Sequence, residues 1–327
     1  MPQRLVVTFD LDDASRAVIA EALAGVAEIT GIAKLDPQAR AAALRGAGAV
    51  LSYNTLKELY PDELPLISHV KLVQLGAAGI DFIPVGDLPA GVAVASNAGA
   101  FAEPMAEHAL AMALCAAKRL MVEHTELAHG RFNQHTQNRM LAGAVCGIFG
   151  FGGVGVAAAR LMRCVGMRIH AINRRGATDE SVDWIGTPAR LDTLLAASDV
   201  FVVASPLTRA TEGVIGAREL GLMKPDAILI NLARGEIIGE AALYRHLKAN
   251  PRFTACIDAW WIEPVRHGKF QMDQPFMQLR NVIASPHNSA SVSTARGIGL
   301  QRAAENCRRA LLGEKVLNLI GPDDRFK

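Results

Sequence analysis

Four side chains of complementary chemistry follow three short apolar runs. Arg234 follows the run 227–232 after Ala233; Asp258 ends the run 253–257, with Glu263 five residues further; His287 follows Pro286 and the run 282–285. In an open parallel α/β sheet, ligands bind outside the carboxyl ends of the strands, so these positions would share one rim. Singly, each has a plain structural reading: a surface arginine, a turn glutamate before Pro264, a structural histidine. Together they form an acid, the carboxylate that orients it and an anchor for an anionic substrate. A carbonyl that takes a hydride at carbon needs a proton at oxygen, and an imidazole titrates near working pH. Glu263 would hold the ring of His287 and favour its imidazolium. Arg234 would pair with a substrate carboxylate and polarise the adjacent ketone.

A source of hydride is suggested further upstream. Gly150-Phe151-Gly152-Gly153-Val154-Gly155 fits G-x-G-x-x-G, directly after an apolar run and at the opening of a helical stretch. Gly150 permits the tight turn, Gly152 admits a pyrophosphate to the backbone, and Gly155 lets helix and strand pack closely. The helix start offers N–H groups and partial positive charge to phosphates. The plain alternative is a glycine-rich turn with no ligand. Eighteen residues after Gly155 the next run ends in Asn173-Arg174-Arg175, where an NAD-binding chain would carry an acid for the ribose 2′-hydroxyl. An amide can donate to a 2′-phosphate and two guanidiniums can pair with it, so NADP(H) is preferred, with NAD(H) possible. The competing reading is a solvated arginine pair.

These residues need a scaffold of alternating strands and helices. Strands are expected at 4–8, 47–51 and 71–75, with helices over 14–24 and from the Asp36-Pro37 cap through 38–44. A long, largely buried helix follows over 101–121. A second series places strands at 144–149, 168–173, 200–204, 227–232, 253–257 and 282–285. Helices fall at 154–165, 191–197, 217–223 and 240–249, with a last one running to about 312 and a short polar tail from Gly321. Such alternation implies parallel sheets covered by helices.

The segments GFGGVG, SPLTRAT, INLARGEII, CIDAWWIEP and SPHNSAS, in this order, resemble the D-isomer-specific 2-hydroxyacid dehydrogenases. The resemblance implies an α/β protein of two lobes, with the active site in the cleft. One is a flavodoxin-like substrate domain (1–98 plus 292–327); the other is a Rossmann-type doubly wound nucleotide-binding domain (99–291). It implies Arg234 as substrate-binding arginine, His287 as acid/base and Glu263 as its partner. Asp258 would meet the nicotinamide carboxamide, and Ser205, Pro206, Thr211, Leu232 and Ala233 would join the cofactor contacts. The segment from Gly76 to Asp81 resembles the loop that holds the substrate carboxylate on backbone amides, here Ala77, Ala78 and Gly79. Tyr53 falls where family members set substrate size, and its ring would favour a compact acid such as glyoxylate, hydroxypyruvate or pyruvate. Trp260 and Trp261 either line the cleft or belong to the core. The family commonly forms dimers through the helix near 101–121 and the segment beyond it, so a homodimer is expected.

Other classes fit less well. Formate dehydrogenases pair the histidine with glutamine, whereas this chain has Glu263; a phosphonate dehydrogenase remains an open alternative. A nicotinamide-sensing binding protein, akin to corepressors of the same family, is the other alternative. Those carry long tails, and here only a short stretch follows the last expected helix. The 34 Lys and Arg against 32 Asp and Glu leave a net charge of +2 with no basic block, which argues against nucleic acid. The twenty uncharged residues 140–159 could span a bilayer by length, but six of them are glycine. A buried strand, turn and helix explain them better, so no membrane association is expected. The five widely spaced cysteines read as buried thiols in a reducing compartment, and no His/Cys cluster has metal-ligand spacing. With no signal-like start, a cytoplasmic enzyme is expected.

Overall fold

The structure, a computed structural model, describes residues 3–321, and the polar tail beyond them lies outside the described residues. The chain forms two compact units, one of residues 3–101 and 292–321, the other of residues 102–291.

The first unit holds five parallel strands: β1 (Gln3–Val7), β2 (Ala27–Gly31), β3 (Ala49–Ser52), β4 (Leu72–Leu75) and β5 (Val94–Ala95). Their order is β2-β1-β3-β4-β5, the flavodoxin-like arrangement. The helix Asp13–Leu23 begins because Asp12 caps the Ser15 N–H at 2.7 Å, and it ends where Ala24 turns left-handed at φ 49°. The Asp36 carboxylate likewise caps Pro37–Arg45 through the Ala39 N–H at 2.9 Å. Far along the chain, the helix Ala295–Leu312 returns to this unit. Leu300, Ala304, Cys307 and Leu311 recur at helical spacing and bury against Leu5, Val7, Ala49 and Leu51.

The second unit holds seven parallel strands: β6 (Val145–Phe149), β7 (Arg168–Ile172), β8 (Trp184–Gly186), β9 (Val200–Val203), β10 (Ile228–Asn231), β11 (Thr254–Ile257) and β12 (Val282–Ala284). The order β12-β11-β10-β9-β6-β7-β8 is the doubly wound arrangement with one strand added, and it reverses between β6 and β9. The central strands VCGIF, VFVV and ILIN are buried along their whole length, as a sheet covered on both faces requires. The uncharged stretch 140–159 resolves into β6, the glycine turn and the start of the helix Gly153–Cys164. Among the described residues, no helix is long and apolar enough to cross a membrane.

Three expectations need correction. The single helix over 101–121 is two, Ala102–Ala117 and Leu120–Ala128, divided where Arg119 adopts φ 55°. Strands β2, β5 and β8 carry too little apolar pattern to be read from sequence: β5 and β8 span two and three residues, and β2 is a partly exposed edge. The cysteines are all free, but only Cys146, Cys256 and Cys307 are buried, Cys164 being exposed. Burial pushes the Cys146 thiol up to about 12, so it is inert at neutral pH.

Candidate active site

The glycine turn sits at the reversal of strand order. Gly150 has φ 103°, and a Cβ there would lie 2.3 Å from the Ser205 nitrogen, so only glycine lets β6 turn beside the end of β9. A Cβ on Gly155 would lie 2.3 Å from the Gly150 carbonyl oxygen, so that glycine closes helix onto turn. Gly152 differs: a Cβ there meets no heavy atom within 4 Å. The protein's own packing does not require glycine at 152, whereas a pyrophosphate laid on the turn would. The residues present therefore fit a dinucleotide. The first intrahelical bond runs from the Val156 N–H to the Gly152 carbonyl at 2.8 Å, so the N–H groups of Gly153, Val154 and Gly155 precede the helical ladder. Gly150 and Phe151 serve the turn instead, since both N–H groups donate to the Ile172 carbonyl and the Phe151 ring lies in the core.

The loop after β7 carries Asn173, Arg174 and Arg175. Rather than reaching outward, as its type suggests, Asn173 builds the turn. Its Oδ1 accepts the N–H groups of Arg175 at 3.0 Å and Gly176 at 2.8 Å, and its Nδ2 donates to the Ala177 carbonyl at 2.9 Å. Arg174 and Arg175 are exposed on this turn. After β9, Thr211 Oγ1 donates to the Pro206 carbonyl at 2.7 Å and accepts the Thr208 N–H at 2.8 Å, which closes the loop that begins at Ser205. Leu232 is fully buried in the core, so only its main chain could face a ligand. The Ala233 N–H donates to Asn231 Oδ1 at 3.1 Å, and the Ala233 carbonyl accepts Arg234 Nη1 at 2.8 Å.

The ends of β10, β11 and β12 bring the catalytic candidates together. Arg234 is half-buried, and Asn231 Nδ2 pins its carbonyl at 2.9 Å. The next residue, Gly235, packs so tightly that a Cβ would lie 2.4 Å from the Trp260 carbonyl carbon. That approach ties the Arg234 turn to the segment leading to Glu263. Glu263 is buried, and its Oε1 accepts the Trp260 N–H at 2.7 Å. His267, assigned no part by the sequence, accepts the Glu263 N–H on Nδ1 at 3.0 Å. Both Glu263 oxygens lie 2.8 Å from His287 Nδ1. Burial pushes the Glu263 carboxyl up, but the hydrogen bond and charge of His287, the Trp260 N–H and the charge of Arg234 outweigh it. The carboxyl is thereby held below the ordinary glutamate range. His287 adopts φ 51°, an uncommon conformation for this residue type, and its N–H donates to the Asp258 carbonyl at 2.9 Å.

Asp258 is fully buried. Ser285 Oγ donates to its Oδ1 at 2.6 Å, the Asn288 N–H reaches the same oxygen at 3.1 Å, and the Ser289 N–H approaches Oδ2 at 3.4 Å. His108 Nε2 lies 3.0 Å from Ser285 Oγ. Sequence reasoning gave Ser285 and His108 no role; one reads as the end of a strand, the other as part of a buried helix. Of the two tryptophans, Trp260 is buried and Trp261 is partly exposed. Trp260 packs edge-on to Trp261, Phe270 and Phe276, Trp261 stacks on Phe276 at 5.4 Å, and Trp260 Nε1 donates to the Ser285 carbonyl at 2.9 Å. Among the described residues, no group of three or more His, Cys, Asp or Glu could hold a metal ion.

In the other unit, the Tyr53 ring lies over Gly76, where a Cβ would come within 2.6 Å of it, and 4.5 Å from the Phe9 ring. One carboxylate fixes this loop: Glu58 accepts Thr8 Oγ1 at 2.5 Å, Ser52 Oγ at 2.8 Å, and the N–H groups of Tyr53 and Asn54 at 3.0 Å. Ala77, Ala78 and Gly79 are half-buried, and the Ala77 carbonyl accepts the Asn97 N–H at 2.9 Å.

Residues 110–289 match the profile of the D-isomer specific 2-hydroxyacid dehydrogenase, NAD binding domain. The chain is 31% identical over 264 residues to a D-3-phosphoglycerate dehydrogenase of Archaeoglobus fulgidus, a match covering 78% of this chain and 49% of that longer protein. It is 30% identical to a glyoxylate reductase of Korarchaeum cryptofilum, over 78% of this chain and 77% of the relative. Its fold is similar to that of a D-isomer specific 2-hydroxyacid dehydrogenase from Xanthobacter autotrophicus Py2 in complex with NADPH and MES. That likeness has a TM-score of 0.78 at 25% identity and covers 98% of this chain and 99% of the other. With more than half its length matching the family profile, the chain belongs to the D-isomer-specific 2-hydroxyacid dehydrogenases, oxidoreductases built around a nicotinamide-binding domain.

Proposed function

We propose that the protein is an NADP(H)-preferring reductase of a small 2-oxo acid, working between the oxo acid and the D-2-hydroxy acid. The observation that carries this reading is the contact of both Glu263 oxygens with His287 Nδ1. With Nδ1 committed to a buried carboxylate, Nε2 is the nitrogen left to exchange a proton with substrate. The bound nicotinamide supplies the hydride. His287 gives its proton to the ketone oxygen as the carbonyl carbon is reduced, and Glu263 stabilises the ring while it is charged. Arg234 holds the substrate carboxylate and draws electron density from the adjacent carbonyl. Tyr53, Ala77, Ala78 and Gly79 are assigned the substrate's size and carboxylate on family resemblance alone. Loss of NADPH absorbance with a panel of 2-oxo acids tests the reading. NADPH binding without turnover of any of them would favour a dinucleotide sensor instead.

The cofactor preference rests on Arg174 and Arg175, which the Asn173 turn presents where an acid would repel a 2′-phosphate. Replacing both with alanine is expected to weaken NADPH roughly tenfold or more, the scale of charge-assisted hydrogen bonds, and to leave NADH nearly unchanged. Titration with each dinucleotide checks this, and equal losses would refute it.

We further propose that the protein works as a homodimer. The helix Leu120–Ala128 buries none of its residues, and Phe132 beyond it is 77% exposed. So much apolar surface on one segment suits a second copy of the chain. Light scattering is expected to give twice the chain mass, and Phe132→Asp should shift the population towards the monomer; a wild-type monomer would end this proposal.

A further inference from the structure

Glu263 stands at the start of the helix Pro264–His267, a single turn in which Pro264, Val265 and His267 are exposed. Two main-chain bonds close it, from the His267 N–H to the Glu263 carbonyl at 2.8 Å and from the Gly268 N–H to the Pro264 carbonyl at 2.9 Å. A helix this short does not persist by itself, and apolar burial is not what holds this one. Its inward residue is Arg266, whose side chain is only 9% exposed. A guanidinium taken that far out of water needs a partner, and Arg266 forks onto Glu236. Nη1 donates to Oε2 at 3.0 Å, and Nη2 lies 2.7 Å from Oε1. Glu236 follows Arg234 by two residues, and its carbonyl accepts the Gly213 N–H at 2.8 Å. The pair thus ties the turn after β10 to the short helix after β11.

We propose that the Glu236–Arg266 ion pair positions the acid–base couple, by clamping the helix on which the main chain of Glu263 rests. The inference rests on the reading of His287 as the acid and Glu263 as its partner. Both main-chain polar groups of Glu263 bond to His267, so its backbone follows this helix wherever the helix moves. The loop is closed at its base by a bridge between Ile262 and Gln271, which does not involve Arg266. One hold on the carboxylate, the Trp260 N–H at 2.7 Å, is also independent of the pair. Loss of the pair therefore displaces Glu263 relative to His287 and leaves the sheet intact.

The test measures kcat of the whole protein with NADPH and a 2-oxo acid, with NADPH affinity titrated separately. Arg266→Ala is expected to lower kcat about tenfold or more, because a small misplacement of a catalytic group is costly, and to leave NADPH affinity unchanged. Glu236→Gln should do the same. The two variants change local charge in opposite senses, so an effect of the field alone would move kcat in opposite directions. In a Glu263→Gln background Arg266→Ala should cost little, since no carboxylate remains to be aimed. Exchanging the partners, Glu236→Arg with Arg266→Glu, should restore part of the lost rate. Should Arg266→Ala fail to fold, Arg266→Lys, which keeps the charge without the fork, and Glu236→Gln make the same comparison. An undiminished kcat, opposite effects of the two variants, or the same cost with and without Glu263 would overturn the proposal. A Glu263→Gln variant as active as wild type, or no turnover of any oxo acid, would instead overturn the reading of the couple, and the inference with it.

Discussion

His287→Asn is expected to bind NADPH as the wild type does and to lose turnover by about 100-fold or more, the scale of a missing general acid. Asparagine suits the experiment because residue 287 sits at φ 51°, a conformation that asparagine tolerates better than most residues. The main-chain bond from residue 287 to the Asp258 carbonyl should therefore persist, and the loss can be assigned to the ring. Glu263 loses its partner in this variant, but it keeps the Trp260 N–H. In the wild type its lowered carboxyl remains an anion at neutral pH. The stability it contributes is present above the ordinary glutamate value and is lost as pH falls through the lowered one. Stopped-flow measurement of NADPH oxidation, with cofactor affinity measured separately, checks the expectation. Turnover within a few-fold of wild type would mean that another group supplies the proton.

The second large effect separates two glycines of one turn. Gly155→Ala would push a methyl group to 2.3 Å from the Gly150 carbonyl oxygen, a main-chain atom that cannot swing aside. Overpacking of this kind costs about 1–3 kcal/mol, so thermal stability should fall. Gly152→Ala meets no protein atom within 4 Å and has φ −103°, which alanine can adopt. Its stability should match the wild type, while dinucleotide affinity falls roughly tenfold or more, because the same overpacking now arises only in the complex. Melting curves with and without NADPH distinguish the two cases. If Gly152→Ala is stabilised by NADPH as strongly as the wild type, the pyrophosphate does not lie against residue 152.

Much of the candidate site was legible because its parts are strand ends, and buried parallel strands announce themselves as apolar runs. Arg234, Glu263 and His287 could be grouped once the runs before them were taken as neighbours in one sheet. What the sequence hid depends on which half of a residue does the work. Phe151 and Leu232 occupy motif positions, yet their side chains belong to the core. Asn173 has the right type for a phosphate contact, yet its amide closes the turn. His108 and Ser285 are 177 residues apart, and no local pattern couples them. The break at Arg119 was equally hidden, since a left-handed arginine follows from packing and not from propensity.

The return of the helix Ala295–Leu312 to the first unit has a consequence for biosynthesis. The apolar face formed by Leu5, Val7, Ala49 and Leu51 is covered by residues that are synthesised only after the whole of 102–291. Residues 102–291 are contiguous and can close their core while the chain is still being made, so the usual order, in which the amino-terminal domain matures first, is reversed. Until the helix Ala295–Leu312 emerges, the nascent first sheet exposes a greasy surface of the kind that chaperones bind.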